Sequence, residues 1–200
     1  MKTAILVLDY GTTTLKAVAY DEHFRWLHTC TREWRYSYPA PGCIEYPVEA
    51  YWAQTLSAVT ELRECVGSFR NVRTISVTGQ SETMILLDGK GEPLGDAIVW
   101  LDGRPVQECE ETKAIFSETR LYALTGNPDF NVNMPLLKLQ WLKRHEPERS
   151  KRISKVLLLK DYIIYKLSGR LLSEHTVNCC SGYFDINTRD WVDELLDVCG

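Results

Sequence analysis

The sequence predicts a mixed α/β or α+β fold, rich in strands at its start and with helical insertions after about residue 100. Ala4-Ile5-Leu6-Val7-Leu8 is a continuous apolar run bounded by Asp9-Tyr10-Gly11, which suits a buried central strand. Across the short turn Gly11-Thr12-Thr13-Thr14 a second run with recurring apolar residues spans 15–20, so the two read as a β-hairpin. Farther along, short strand-like runs alternate with segments whose apolar residues recur at helical spacing.

Asp21-Glu22 closes the second strand, and residues 24–34 carry the β-formers of a third. Pro39-Ala40-Pro41-Gly42 is a loop. Pro47 suits the opening of a helix, and Val48, Tyr51, Trp52, Leu56, Val59, Leu62 and Val66 give it one apolar face before Gly67 stops it. Residues 72–77 form a β-run that ends in the polar stretch Thr78-Gly79-Gln80-Ser81-Glu82-Thr83. Met84–Leu87 is a short strand, Asp88-Gly89-Lys90-Gly91 a turn, and 97–100 a strand again. Helices are predicted over 104–113, over 117–124 with Gly126 behind it, and over Pro135–His145. A short apolar run at 156–159 precedes a helix over 161–167 capped by Gly169. A strand over 181–186 and a short helix over 191–198 end the chain.

Two hundred residues suffice for one domain, or one with a small appendage, and for a core without disulfide staples. With 44% hydrophobic and 25% charged residues the chain is not disordered as a whole. A net charge of −4 gives no global footprint for nucleic acid or an anionic membrane, and neither partner is expected. Seven cysteines (Cys30, Cys43, Cys65, Cys109, Cys179, Cys180 and Cys199) include no CxxC pair, and the adjacent Cys179-Cys180 is not a zinc spacing. They read as reduced, mostly buried thiols of a cytoplasmic protein. Asp9 ends the first apolar run before it reaches the about 7–15 residues of a signal-peptide core. No apolar stretch approaches the about 18–20 residues of a membrane span. His23, His28, His145 and His175 show no ligand spacing and carry no assigned role.

The most informative segment is Asp9-Tyr10-Gly11-Thr12-Thr13-Thr14, directly after the first strand. It places a carboxylate beside a turn of backbone N–H groups and three hydroxyls. Such a turn can hold phosphate oxygens, and the Asp can hold a hydrated Mg²⁺. An ordinary tight hairpin with solvated threonines would read the same. Neither a Walker P-loop nor GxGxxG occurs.

This segment, continued by Leu15-Lys16-Ala17, resembles the first phosphate-binding hairpin of the actin-like ATPase and sugar-kinase superfamily. The rest of the chain resembles one branch of it, the FGGY carbohydrate kinases. The matching stretches run in order: Tyr38-Pro39-Ala40-Pro41-Gly42 with Ile44-Glu45-Tyr46-Pro47, Thr78-Gly79-Gln80 with Glu82, Ala97-Ile98-Val99-Trp100-Leu101-Asp102-Gly103-Arg104, Thr125-Gly126-Asn127, Lys138 with Trp141, Lys160-Asp161-Tyr162, and Phe184-Asp185-Ile186.

The resemblance implies a ribonuclease H-like (actin-like ATPase) mixed sheet flanked by helices, and transfer of the ATP γ-phosphate to a hydroxyl of a ketose or polyol. It implies ATP and Mg²⁺ as cofactors, with Asp9 as catalytic residue near the metal and Gly11, Thr12, Thr13, Thr14 and Lys16 around the phosphates. Gln80, Ser81, Glu82, Trp100, Asp102 and Asn133 are implied to face the substrate. In glycerol-kinase members the strand end reads Asn-Gln-Arg-Glu-Thr; here Glu82 stays and Ser81 replaces the Arg. Leu101-Asp102-Gly103-Arg104 keeps three residues of the xylulokinase Asn-Asp-Gly-Arg, which favours a xylulose-like substrate. The family's catalytic base, an Asp in a Gly-Gly-x-Asp motif, and its adenosine site have no match in residues 1–200. The expectation is therefore an N-terminal kinase domain over 1–200 that is inactive without the C-terminal ATP-binding domain. A sugar-binding remnant or one part of a split kinase is the alternative, and a homodimer is a further expected partner.

Overall fold

The computed structural model describes residues 4–67 and 72–199. It opens with three antiparallel strands, β1 (Ala4–Tyr10), β2 (Thr14–Asp21) and β3 (Trp26–Glu33). After the two-residue strand β4 (Glu45–Tyr46), helix α1 (Val48–Val66) returns the chain so that β5 (Val72–Gly79) lies parallel to β1. The sheet order is β3-β2-β1-β5, a mixed sheet with β1 inside it.

The two-residue period of a strand sorts β1 cleanly. Leu6, Leu8 and Tyr10 are buried, whereas Ile5, Val7 and Asp9 are half-buried on the other face. Leu15, Ala17 and Ala19 of β2 and Cys30 of β3 join the buried face. Helix α1 covers it with Val48, Tyr51, Thr55, Ala58 and Leu62. This stripe differs from the apolar set read in the sequence. Thr55 and Ala58 face the sheet because small side chains let the helix approach closely, and Leu56, 48% exposed, points to solvent. Burial of Leu62 alone contributes about 1.5–3 kcal/mol.

A second four-stranded sheet, not foreseen in the sequence, has the order β4-β7-β6-β8. It takes β6 (Met84–Leu87) and β7 (Ala97–Ile98). The strand expected over 97–100 stops at Ile98, because Asp102 N–H bonds back to Val99 O at 2.9 Å and turns the chain. Helices α2 (Val106–Ile115), α3 (Glu118–Thr125), α4 (Pro135–His145) and the single-turn α5 (Pro147–Ser150) follow. Strand β8 (Lys155–Leu158) runs straight into helix α6 (Leu159–Ser168). The last stretch holds the short helix α7 (His175–Asn178), a hairpin of β9 (Phe184–Asp185) and β10 (Asp190–Trp191), and helix α8 (Asp193–Cys199). A 3₁₀ turn over Cys179–Ser181 and Gly182 at φ +85° occupy the start of the segment expected as a strand. Among the described residues, no helix is long and apolar enough to cross a membrane.

Cys30, Cys43 and Cys109 are buried, Cys179 and Cys180 half-buried, and Cys65 exposed, so burial of the thiols is less general than expected. The side chain of Cys199 lies outside the described residues.

Candidate active site

The β1–β2 turn sits at the C-terminal end of β1, and the following chain braces it from one side. Trp34 Nε1–H donates to Gly11 O at 2.9 Å, the Tyr36 hydroxyl donates to Thr12 O, and Trp34 N–H donates to Thr13 O at 2.9 Å. In a trans peptide the N–H points opposite to the C=O. Pinning these carbonyls therefore turns the amides of Thr12, Thr13 and Thr14 away from the bracing residues. Asp9 pairs in register with Lys16 of β2 and Thr78 of β5, so it shares the outer sheet face with exposed Lys16 at the rim of the turn.

Strand β5 delivers the second part. Gly79 packs so tightly on β1 that a Cβ there would lie 2.5 Å from Tyr10 O. This contact lets Gln80 N–H donate to Tyr10 O at 2.8 Å and sets Gln80-Ser81-Glu82 beside the turn. The Gln80 side chain is held by Thr83, whose Oγ1 donates to Gln80 Oε1 at 2.7 Å. The buried Gln80 Nε2 finds no partner at good geometry, although the Gln80 amide acts on the nearby Tyr36 and Tyr51 hydroxyls.

Trp100 joins both parts. Its backbone N–H donates to Thr83 Oγ1 at 3.0 Å, and its indole Nε1–H donates to Thr12 Oγ1 at 3.2 Å. The Trp100 loop and the β1–β2 turn are thus one hydrogen-bonded unit. Beneath it lies Lys138 of α4, fully buried, with Nζ donating to Val99 O at 3.1 Å and Trp100 O at 3.3 Å. Burial pushes the Lys138 ammonium down to about 8, against the opposing pull of Asp102 and Glu82. Burial likewise raises the Glu82 carboxyl, and Lys138 restrains that rise. Lys138 thus carries the buried positive charge behind Glu82. Sequence motifs assign it no site role, although a lysine inside Leu136-Leu137-Lys138-Leu139 signals a cation on an apolar helix face.

Asp102 is placed differently from the substrate-facing position expected of it. It is 0% exposed and accepts from Ile44 N–H at 2.6 Å and from Arg104 Nη2 at 2.8 Å. Arg104 also pairs with Glu45 at 2.6 Å and lies 4.8 Å over the Trp141 ring. Asp102 therefore clamps the loop that carries Trp100 onto the segment before β4. Asn133 stands in the adjacent loop, where its N–H closes onto Asn131 Oδ1 at 3.1 Å and neighbouring Val132 packs on Gly103.

Cys180 is an addition the sequence did not supply. Ser81, Glu82 and Cys179 all act on its thiol, and burial pushes it up to about 11. Asn127 anchors this turn, donating from Nδ2 to Cys179 O at 2.7 Å. The signal available was Thr125-Gly126-Asn127, in which left-handed Gly126 ends α3 and frees Asn127 to reach across.

The sequence pattern of the FGGY family of carbohydrate kinases, N-terminal domain, matches residues 4–200. Xylulose kinase of Escherichia coli is 33% identical over 195 residues, which are 96% of this chain and 39% of that protein. The crystal structure of a xylulose kinase from Brucella ovis superposes with a TM-score of 0.90 at 32% identity, over 98% of this chain and 40% of that one. Plasmodium falciparum glycerol kinase with ADP superposes with a TM-score of 0.89 at 25% identity, again over 98% and 40%. The chain thus spans about two fifths of the length of these relatives.

Proposed function

Because this chain belongs to the FGGY family of carbohydrate kinases, we propose that it supplies the substrate- and phosphate-contacting part of an enzyme that phosphorylates a hydroxyl of a ketose or polyol, with a xylulose-like ketose favoured. The observation that carries this reading is the hydrogen bond from the Trp100 indole to Thr12, which ties the sugar wall to the turn.

The braced turn fits a nucleotide phosphate: its amides face away from Trp34 and Tyr36, and the Asp9 carboxylate is at its edge. MgATP would supply the phosphoryl group and neutralise much of its charge. In this reading Gly11, Thr12, Thr13 and Thr14 cradle phosphate oxygens, Asp9 holds the hydrated metal, and Lys16 adds a positive charge at the rim. Glu82 accepts hydrogen bonds from vicinal hydroxyls of the sugar. Gln80, set beside the turn by its N–H bond to Tyr10 O, offers its side-chain amide to a hydroxyl or carbonyl oxygen. Ser81 occupies less space than the arginine of glycerol-kinase members, which suits a substrate longer than glycerol. Trp100 stacks against the carbon skeleton, Asn133 flanks the opening, and Asp102 acts through the loop it clamps.

We propose further that the base which takes the proton of the attacking hydroxyl lies outside these 200 residues, as does the adenosine site. The chain alone then binds sugar and turns over little ATP. A sugar-binding remnant or one part of a split kinase would behave alike, and the share of each relative that is covered favours neither over a domain of a larger enzyme. A thermal-shift screen of ketoses and polyols, paired with ADP-release assays, tests both statements. Stabilisation by a pentulose that Glu82→Gln abolishes is expected; robust turnover by the chain alone, or no stabilisation by any sugar, contradicts the reading.

A further inference from the structure

Away from this site, β3 and α1 bring together donors that lie far apart in the sequence. His28 and Cys30 are two residues apart on β3 and so point to the same face. Their register partners on β2 are Ala19 and Ala17, both fully buried in the face that α1 covers. Glu61 reaches the same spot from α1. One ligand atom each of His28, Cys30 and Glu61 lies within 4.8 Å of the other two. Zinc bond lengths set donor separations of roughly 3.3–3.8 Å in a tetrahedral site, so closure by about an ångström is enough. Cys65 lies four residues beyond Glu61 on the same helix face, exposed and outside that 4.8 Å cluster, yet near enough to act electrostatically on the Cys30 thiol.

We propose that His28, Cys30 and Glu61, with Cys65 as fourth donor, bind one divalent cation of the zinc class and staple α1 to β3. One imidazole, two thiolates and one carboxylate are a borderline-to-soft donor set, suited to Zn²⁺ and unsuited to Mg²⁺ or Ca²⁺, which take oxygen. Arg32 holds Glu61 Oε2 at 2.7 Å and also donates to Ser57 Oγ at 3.1 Å. Metal-binding carboxylates are commonly oriented by such a partner; the Glu61 carboxylate also accepts from the Cys30 thiol, whose proton the ion would replace. The charges balance as well: two thiolates and Glu61 against Arg32 leave two negative charges, which a divalent cation neutralises. Binding exchanges the two thiol protons for the metal, releases them to solvent, and involves no redox step. His28-x-Cys30 and Glu61-x₃-Cys65 stand about thirty residues apart, which is why the histidines show no ligand spacing in sequence.

Titration of the chelator-stripped full chain with Co²⁺, followed by Zn²⁺ displacement, tests the proposal. The expected result is one Co²⁺ per chain with tetrahedral absorption bands and a thiolate charge-transfer band, displaced by Zn²⁺. Zn²⁺ but not Mg²⁺ should raise Tm. His28→Gln, at a half-exposed position, should weaken binding at least about tenfold with the fold intact. Cys65→Ser should weaken it and diminish the charge-transfer band, while Cys179→Ser should change nothing. Absence of stoichiometric binding, binding that survives His28→Gln, or binding lost in Cys179→Ser overturns the proposal. Should Cys30→Ser unfold the chain, the His28 and Cys65 variants still decide.

Discussion

Lys138 shows most sharply how a single residue shapes this molecule. Its ammonium is fully buried and held by two carbonyls of the Trp100 loop. Burial lowers it to about 8 from an ordinary 10.5. Below pH 8 the folded chain carries this charge in a poor solvent, and the cost is fully present. Between about pH 8 and 10.5 the unfolded chain binds the proton and the folded chain does not, so stability rises with pH by about 1.4 kcal/mol per unit. Urea unfolding from pH 7.5 to 9.5 should therefore show wild type gaining on Lys138→Met by about 2 kcal/mol; parallel curves would sink this assignment. Asp102 makes a second prediction at this scale. Its removal leaves Arg104, 3% exposed, with the Glu45 carboxylate and the Trp141 ring as its remaining described partners. Asp102→Ala should cost about 3–5 kcal/mol, read as a lower urea midpoint.

At the scale of elements, the contact of β5 with β1 aligns the two halves of the site. Gly79→Ala would force a methyl group onto Tyr10 O. A loss of about 2–3 kcal/mol is expected, together with loss of the Gln80 N–H bond, detectable as faster amide exchange at Gln80. An unchanged exchange rate would contradict the role given to Gly79. Legibility also divides at this scale. The β1–β2 hairpin, α1, β6 and α4 were readable because each carries a sustained local period or a clear boundary residue. The second sheet was not, because β4 and β7 are two residues long and β4 pairs with a strand some fifty positions away. The single turns α5 and α7 are too short to show a period. For the candidate site, Asp9, Gly11–Thr14, Gln80–Glu82 and Trp100 stand in contiguous motifs, so the sequence alone could nominate them. Lys138 and Cys180 reach it through tertiary packing, and the burial of Asp102 is set by Arg104, Ile44 and Glu45 together.

For the whole molecule, the first sheet supplies the turn and the second supplies the wall. Trp100 bridges them, and α4 sets a buried charge beneath the junction. The architecture is that of FGGY kinases, as the superposition on solved members shows. The junction is proposed to bind a sugar. The direct test is a ¹H–¹⁵N NMR titration of the chain with D-xylulose. Saturable shifts of the Trp100 indole N–H and of the Gln80–Glu82 amides, lost in Glu82→Gln, are expected. Shifts confined to other parts of the chain, or no shift at saturating sugar, would contradict it.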